Sequence, residues 1–230
     1  MYLGLDLGTS GLKAVLIDDD QRLVAEATAP LTVQRPQSGW SEQNPADWLA
    51  ATETAMTALA AQQGLDALRG IGLSGQMHGA TLLDAAGDVL RPCMLWNDTR
   101  SHAEAAAFDA APQRRRVTGN IVFPGFTAPK VDWVRVNEPE IWEKTAKILL
   151  PKDYLRLWLT GDAVSEMSDA AGTSWLDTGA RDWSDALLDA SGRSRTHMPG
   201  LVEGSAPSGT LRDALADRWG LPKGGVVAGG

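Results

Sequence analysis

Three short runs open the chain and leave little choice in how it begins to fold. Tyr2 to Leu7 is short and apolar. Leu12 to Asp18 follows the tight segment Gly8-Thr9-Ser10-Gly11, and Leu23 to Thr28 follows Asp18-Asp19-Asp20 with alternating apolar and polar residues. Runs of this length, bounded by Gly, Ser and Asp, are strands. Connections this tight join antiparallel neighbours, because a parallel pair needs a long crossover. The chain is therefore expected to start with an antiparallel three-strand meander rather than a strand–helix–strand unit.

The rest reads as a mixture of helices and further strands. Pro30 to Asn44 is rich in Pro, Gln and Ser and is expected to be an extended loop. Asn44 then caps a helix with Pro45 at its first position, its apolar positions include Trp48, Leu49, Ala55, Met56 and Leu59, and Gly64 ends it. Gly70 to Ser74 reads as a buried strand. Ala80 to Leu83 and Val89 to Leu95 read as shorter strands around the turn Asp84-Ala85-Ala86-Gly87. Helices are predicted over Thr99 to Ala111, Ala128 to Val136, Pro139 to Lys144, Asp153 to Leu159, Asp182 to Ala190 and Thr210 to Trp219. Strands are predicted over Lys147 to Leu150 and Gly225 to Ala228. No repeat, low-complexity linker or internal boundary stands out, so one mixed α/β domain is expected over residues 1–230.

Asp6-Leu7-Gly8-Thr9-Ser10-Gly11-Leu12-Lys13 carries the most chemistry. A carboxylate ends a strand, small residues let the backbone approach a ligand, and a cation follows on the next strand. Backbone N–H groups in such a turn can hold phosphate oxygens, and the carboxylate can hold Mg²⁺ directly or through water. The spacing is not that of a Walker loop, which also needs an adjacent helix. Taken alone, the segment fits a β-hairpin turn with a capping Asp equally well.

Further segments follow in order: Gly75-Gln76-Met77-His78-Gly79, Leu95-Trp96-Asn97-Asp98-Thr99-Arg100, Gly125-Phe126-Thr127-Ala128-Pro129-Lys130, Leu150-Pro151-Lys152-Asp153-Tyr154 and Ser168-Asp169-Ala170-Ala171-Gly172-Thr173. With the Asp6 turn, these span nearly the whole chain. The turn resembles the first phosphate loop of the actin-like ATPase superfamily. The full set resembles the carbohydrate kinases that carry the FGGY signature. The Gln76-Met77-His78-Gly79 form is similar to that of bacterial xylulose kinases. One departure is visible: Val136 stands before Asn137, where the family usually has a polar residue.

The resemblance implies a ribonuclease H-like, actin-like ATPase fold, with helices on both faces of a mixed central sheet. It implies transfer of the γ-phosphoryl group of ATP to the 5-hydroxyl of D-xylulose, with Mg²⁺ neutralising charge. Asp6 would orient the Mg²⁺ and its water. Gly8, Thr9 and Ser10 would contact phosphates, and Lys13 would meet developing charge unless it is simply a solvated strand cation. Gln76, Met77 and His78 would form the sugar-side segment: His78 could bond a hydroxyl and Met77 could pack on carbon. A buried, satisfied histidine and a core methionine are the alternatives when these residues are taken alone. Trp96, Asn97 and Asp98 would add a stacking face and hydroxyl ligands, or else Asp98 would cap the next helix and Trp96 would fill the core. Lys152, Asp153 and Asp169 are read as caps or loop-fixing residues supporting the site. Trp40-Ser41-Glu42-Gln43 also occurs in the family and has no evident chemical role.

In the family, the last strand runs into a glycine-rich turn bearing the catalytic Asp. Here Gly225 to Gly230 precedes any such residue. The expectation is therefore an N-terminal, sugar-binding domain whose ATP-binding partner domain lies outside these residues, with little kinase activity on its own. A relative specific for ribulose, another ketose or a polyol, a sugar-binding module without catalysis, and a chaperone-like ATPase remain as alternatives. A glycerol kinase fits less well because its segment at Met77-His78 is normally charged.

Charge and cysteine content narrow the partners. A formal net charge of -8 disfavours nucleic acid and anionic membranes, which reward basic patches. Arg114-Arg115-Arg116 reads as a solvated helix face. With Cys93 as the single cysteine, neither an intrachain disulfide nor a thiolate zinc site can form. No secretory signal pattern or long apolar span is evident, so a cytoplasmic protein is expected, with homodimer formation a further possibility.

Overall fold

The structure is a computed structural model that describes residues 1–230. Its centre is a six-stranded sheet in the order Pro207–Thr210, Val226–Ala228, Gly70–Gly75, Tyr2–Leu7, Gly11–Ile17, Leu23–Pro30. The first three strands in sequence form the expected antiparallel meander. Gly70–Gly75 then pairs parallel to Tyr2–Leu7, and Val226–Ala228 pairs parallel to Gly70–Gly75. The sheet is mixed, as the alternation and the later crossovers require.

Period-two alternation gives the sheet two unlike faces. Leu3, Leu5, Leu7, Leu12, Ala14, Leu16, Ile71 and Leu73 point into one core. The helix Pro45–Gln62 covers that face with Trp48, Ala55, Met56 and Leu59. Asn44 caps this helix by accepting from the Ala46 N–H at 3.1 Å, with Pro45 in its first turn. The helices Pro151–Thr160 and Asp213–Trp219 complete the same core through Leu155, Leu159, Leu215 and Trp219. The opposite face was expected to carry helices too. In these residues it is open: Tyr2, Gly4, Asp6, Lys13, Gly72 and Ser74 are exposed. An apolar groove of about 500 Å³ runs along it past Tyr2, Gly4, Val15, Gly72 and Val226.

A second core lies beside the sheet and includes Leu82, Met94, Phe108, Val131, Val134, Trp175 and Trp183. Composition gave no hint of this division. The chain passes between the two cores repeatedly, and two of these crossings run from Leu73 to Ala80 and from Leu95 to Ala105. Both crossings carry candidate site residues.

Several element limits differ from the sequence reading. The helix expected over Thr99 to Ala111 is His102–Asp109, followed by a separate helix Pro112–Thr118. Pro112 disfavours helical backbone at the preceding residue, and Ala111 is extended (φ −96, ψ 101). Arg114 lies over the Phe108 ring and Arg115 pairs with Asp109, so this arginine run is only partly a solvated face. Asp182–Trp183 is a short strand paired with Leu176–Asp177, and the helix starts only at Asp185, capped by Ser184. Thr210 ends a strand rather than starting the last helix.

The two faces predict unequal sensitivity. Leu5→Ala, inside the core, should cost about 2–5 kcal/mol in urea unfolding. Thr28→Ala, on the outward side of its strand, should stay within about 0.5 kcal/mol. Equal losses would mean that the assigned faces are wrong.

Candidate functional site

The register of the sheet places the first candidates in a row. Asp6 faces Lys13 on one side and Ser74 on the other. All three point to the open face, where they line a cavity of about 240 Å³ with Gly204, Ala228 and Gly230. Lys13 pairs with Glu26 at 2.7 Å, whereas Asp6 has no protein cation within ion-pair distance. Asp6 is thus a free carboxylate on a strand end. No group of three or more potential metal-ligating side chains exists, so a cation there would draw its other ligands from water or substrate. That is how Mg²⁺ is usually held.

The turn after Asp6 is closed by the Gly8 N–H donating to Gly11 O at 3.0 Å. A Cβ on Gly11 would stand 2.9 Å from the Ala29 carbonyl oxygen, so the neighbouring strand demands glycine here. Ser10 is exposed. The Thr9 hydroxyl is already engaged: it donates to Gln76 Oε1 at 3.2 Å and accepts from Trp96 Nε1 at 3.0 Å. Gln76, expected among the sugar-side residues, is buried and bonded to Thr9 and Gln43.

Met77 and His78 face a second cavity of about 280 Å³, lined also by Ser74, Lys152, Glu166 and Asp169. Met77 is 53% exposed, an unusual exposure for a core methionine. His78 has a left-handed backbone (φ 64), uncommon for a residue with a Cβ. Two groups grip its carbonyl oxygen: Thr127 Oγ1 at 3.1 Å and Lys130 Nζ at 2.9 Å. Lys130 also donates to Gly125 O at 2.6 Å. The imidazole packs edge-on against Phe126, with ring centroids 4.5 Å apart. Burial, then the Lys130 charge, lowers the His78 pKa from 6.5 to about 4. Burial likewise takes Lys130 down from 10.5 to about 7.

Trp96 is 47% exposed and presents its ring at the surface. Asn97 is half-buried, and its Oδ1 has no protein partner. Asp98, read either as a hydroxyl ligand or as a helix cap, lines neither cavity. It is fully buried, accepts from the Ser41 N–H at 2.7 Å, and binds the Arg100 guanidinium through both oxygens. Arg100 is sandwiched further: Glu42 lies at 2.7 Å and the Trp40 ring 3.5 Å beneath it. Asp98 therefore braces the Trp96 loop from inside.

A buried charge cluster closes the far end. Lys152 meets Asp153 at 3.0 Å and Asp169 at 3.5 Å. Arg156 binds the backbone carbonyls of Ala228, at 2.6 Å, and Gly229. Together these tie the last strand to the cleft. Burial, reinforced by Asp153, raises the Asp169 carboxyl from 3.8 to about 7. The structure thus brings together Asp6, the Gly8–Ser10 turn, Met77, His78 and Trp96 near the ends of the parallel strands, while Asn97 lines neither cavity. Beneath them it holds Gln76 and Asp98. The sequence reading gave no role to Lys130, Thr127 or Arg100, although all three lie in the segments that it singled out.

Comparison with known proteins points the same way. The model of the FGGY family of carbohydrate kinases, N-terminal domain, matches residues 1–230. The chain is 53% identical to the xylulose kinase of Escherichia coli (strain K12), covering 100% of this chain and 48% of that one. It is 40% identical to the xylulose kinase of Bacillus subtilis (strain 168), covering 99% of this chain and 47% of that one. A crystal structure of a xyloylose kinase from Brucella ovis superposes with a TM-score of 0.97 at 60% identity, covering 100% of this chain and 48% of that chain. The chain spans about half the length of the curated relatives it matches.

The geometry around His78 makes a prediction that needs no ligand. Among the three histidines, His78 should titrate at about 4, and Lys130→Met should move it up towards 6.5. The unfolded imidazole takes up its proton at the higher pH, so His78 lowers stability as pH falls from 6.5 to about 4. Proton NMR of the imidazole signals checks both statements. A wild-type value near 6.5 would contradict the packed ring.

Proposed function

The chain belongs to the FGGY family of carbohydrate kinases, and from that premise we propose that it forms the sugar-binding half of an enzyme that phosphorylates D-xylulose with ATP. The observation that carries this reading is the pairing of two adjoining cavities at the strand ends. One holds Met77 and His78, and the other holds the unpaired carboxylate of Asp6. Leu73, Ser74 and Gly230 line both. Ligands of open sheets gather beyond the carboxyl ends of parallel strands.

In this reading, the neutral His78 imidazole bonds a sugar hydroxyl and Met77 packs on the carbon skeleton. Trp96 shields one side. The backbone of Gly8 to Ser10 would face the phosphates, and Asp6 would help to hold Mg²⁺. Mg²⁺ supplies charge neutralisation on the transferring phosphoryl group. Lys13, held by Glu26, serves the phosphate side only if that pair opens. The base that takes the hydroxyl proton, and most of the contacts to ATP, we assign to the part of the relatives that these residues do not cover. The identities to xylulose kinases favour D-xylulose over D-ribulose or glycerol as acceptor.

Calorimetric titration with D-xylulose, D-ribulose and glycerol tests the acceptor. D-Xylulose should bind most tightly, and His78→Ala should weaken it about tenfold, the worth of one buried hydrogen bond. Tighter binding of glycerol would sink the assignment. In the full-length enzyme, Asp6→Asn should lower kcat by about a hundredfold or more while leaving the sugar dissociation constant nearly unchanged.

A further inference from the structure

The segment Trp40-Ser41-Glu42-Gln43 has no part in the proposed chemistry, yet Gln43 is among the most constrained residues near the site. It is buried, at 1% exposure. Its backbone is fixed by the pairing of Glu42–Gln43 with Cys93–Met94. Its side-chain amide is engaged both as donor and as acceptor. Nε2 donates to the Thr9 carbonyl at 2.7 Å. Oε1 accepts from Gln76 Nε2 at 2.9 Å and from Trp48 Nε1 at 3.0 Å. The Thr9 hydroxyl continues the chain of bonds, donating to Gln76 Oε1 and accepting from Trp96 Nε1.

One unbroken network therefore runs from Trp48 in the core, through Gln43 and Gln76, to Thr9 and then to Trp96 at the surface. Its members come from four separate stretches of sequence, around Thr9, Gln43 to Trp48, Gln76 and Trp96, so no local helix or strand could produce it. Each step needs a defined donor and acceptor. Only a side-chain amide of this length can donate to a carbonyl while accepting twice through its oxygen. A buried network whose members are all satisfied holds its parts rigidly, and one lost member leaves the others unpaired in a dry interior.

We propose that Gln43 is a positioning residue that locks the Gly8–Ser10 turn to the Trp96 indole, so that the phosphate-side turn and the sugar-side aromatic move as one body. The names of the two ligands rest on the proposed function; the coupled unit does not. A sugar that settles against Trp96 then also sets the turn that receives phosphate. By reciprocity, a phosphate held by the turn steadies the indole.

Hydrogen exchange in the full-length protein, without ligand, reads the coupling directly. Gln43→Met keeps the length but neither donates nor accepts in this network. It should speed exchange of the Trp96 indole N–H and the Gly8 amide by about tenfold or more, while Ala14 on the adjoining strand is unaffected. In turnover, it should lower kcat about tenfold while the KM for D-xylulose changes less than about threefold. A merely structural role would lower the melting temperature and leave the exchange at Trp96 and Gly8 unmoved, and that result would overturn the proposal. If the variant does not fold, Thr9→Val and Thr9→Ser decide instead. Valine should free the indole and speed Gly8 exchange, and serine should do neither; identical behaviour of the two would overturn it. Absence of D-xylulose phosphorylation by the wild-type enzyme would count against the proposed function, and the exchange measurement would still decide the role of Gln43.

Discussion

The hydrogen-bonded register of one strand sets the rest of the molecule. Tyr2–Leu7 is paired on both edges, antiparallel to Gly11–Ile17 and parallel to Gly70–Gly75. Because side chains alternate with a period of two, a slip by one residue would bury Asp6 and expose Leu5 and Leu7. Burying those leucines therefore also fixes the carboxylate on the open face. The same register sets Ser74 beside Asp6 and starts the Gly75–Gly79 segment at the strand end. Core packing and site geometry are thus one constraint here.

Around that frame, buried charges act as cross-links rather than as sources of net stability. Isolated charges are costly in a dry interior, so each must bind something specific. Arg100 is held by Asp98, Glu42 and the Trp40 ring, and it joins the Trp96 loop to the Trp40–Gln43 segment. Lys130 spends its hydrogen bonds on two backbone carbonyls, joining the His78 turn to the Gly125 loop. Arg156 grips the final strand at Ala228 and Gly229. The Lys130 link joins two loops that no shared secondary structure would otherwise register. Replacing Lys130 by an apolar residue would release a loop without necessarily unfolding the core.

Local chemistry was legible in the sequence, and long-range bonding was not. The first strand, the Asn44–Pro45 helix start and the helix Pro139–Lys144 follow directly from alternation, capping and proline. The stop at Gly161, whose φ is 92, follows from the preference of glycine for left-handed backbone. The sequence reading stops the helix at Ala111, next to Pro112, but does not separate the further helix Pro112–Thr118 that this proline starts. The open sheet face could not be read, because a strand covered on one side and a strand covered on both can share the same short apolar runs. The burial of Asp98 was hidden for another reason. A carboxylate beside Asn97 and Trp96 looks like a ligand until Arg100 and Ser41 are seen to occupy it. Gln43 and Lys130 bond to partners 34 and 52 residues away, a separation to which periodicity is blind.

The ionisation of the cleft fits the kind of ligand proposed for it. Burial is the leading cause at both shifted groups that line the Met77 cavity, and it acts in the direction of neutrality at each: His78 is lowered to about 4 and Asp169 is raised to about 7. A sugar carries many hydroxyls and no charge. A neutral imidazole can both donate to and accept from such hydroxyls, whereas an imidazolium only donates. Asp6 and Lys13, in contrast, stand on the open face where water screens and solvates charge. The cavity proposed to meet hydroxyls is lined in part by the buried residues Lys152 and Glu166, whereas the cavity proposed to meet phosphate lies on the bare sheet. In the proposed reading, recognition of an uncharged polyol and the handling of phosphate charge would thus fall to groups of unlike exposure along the strand ends.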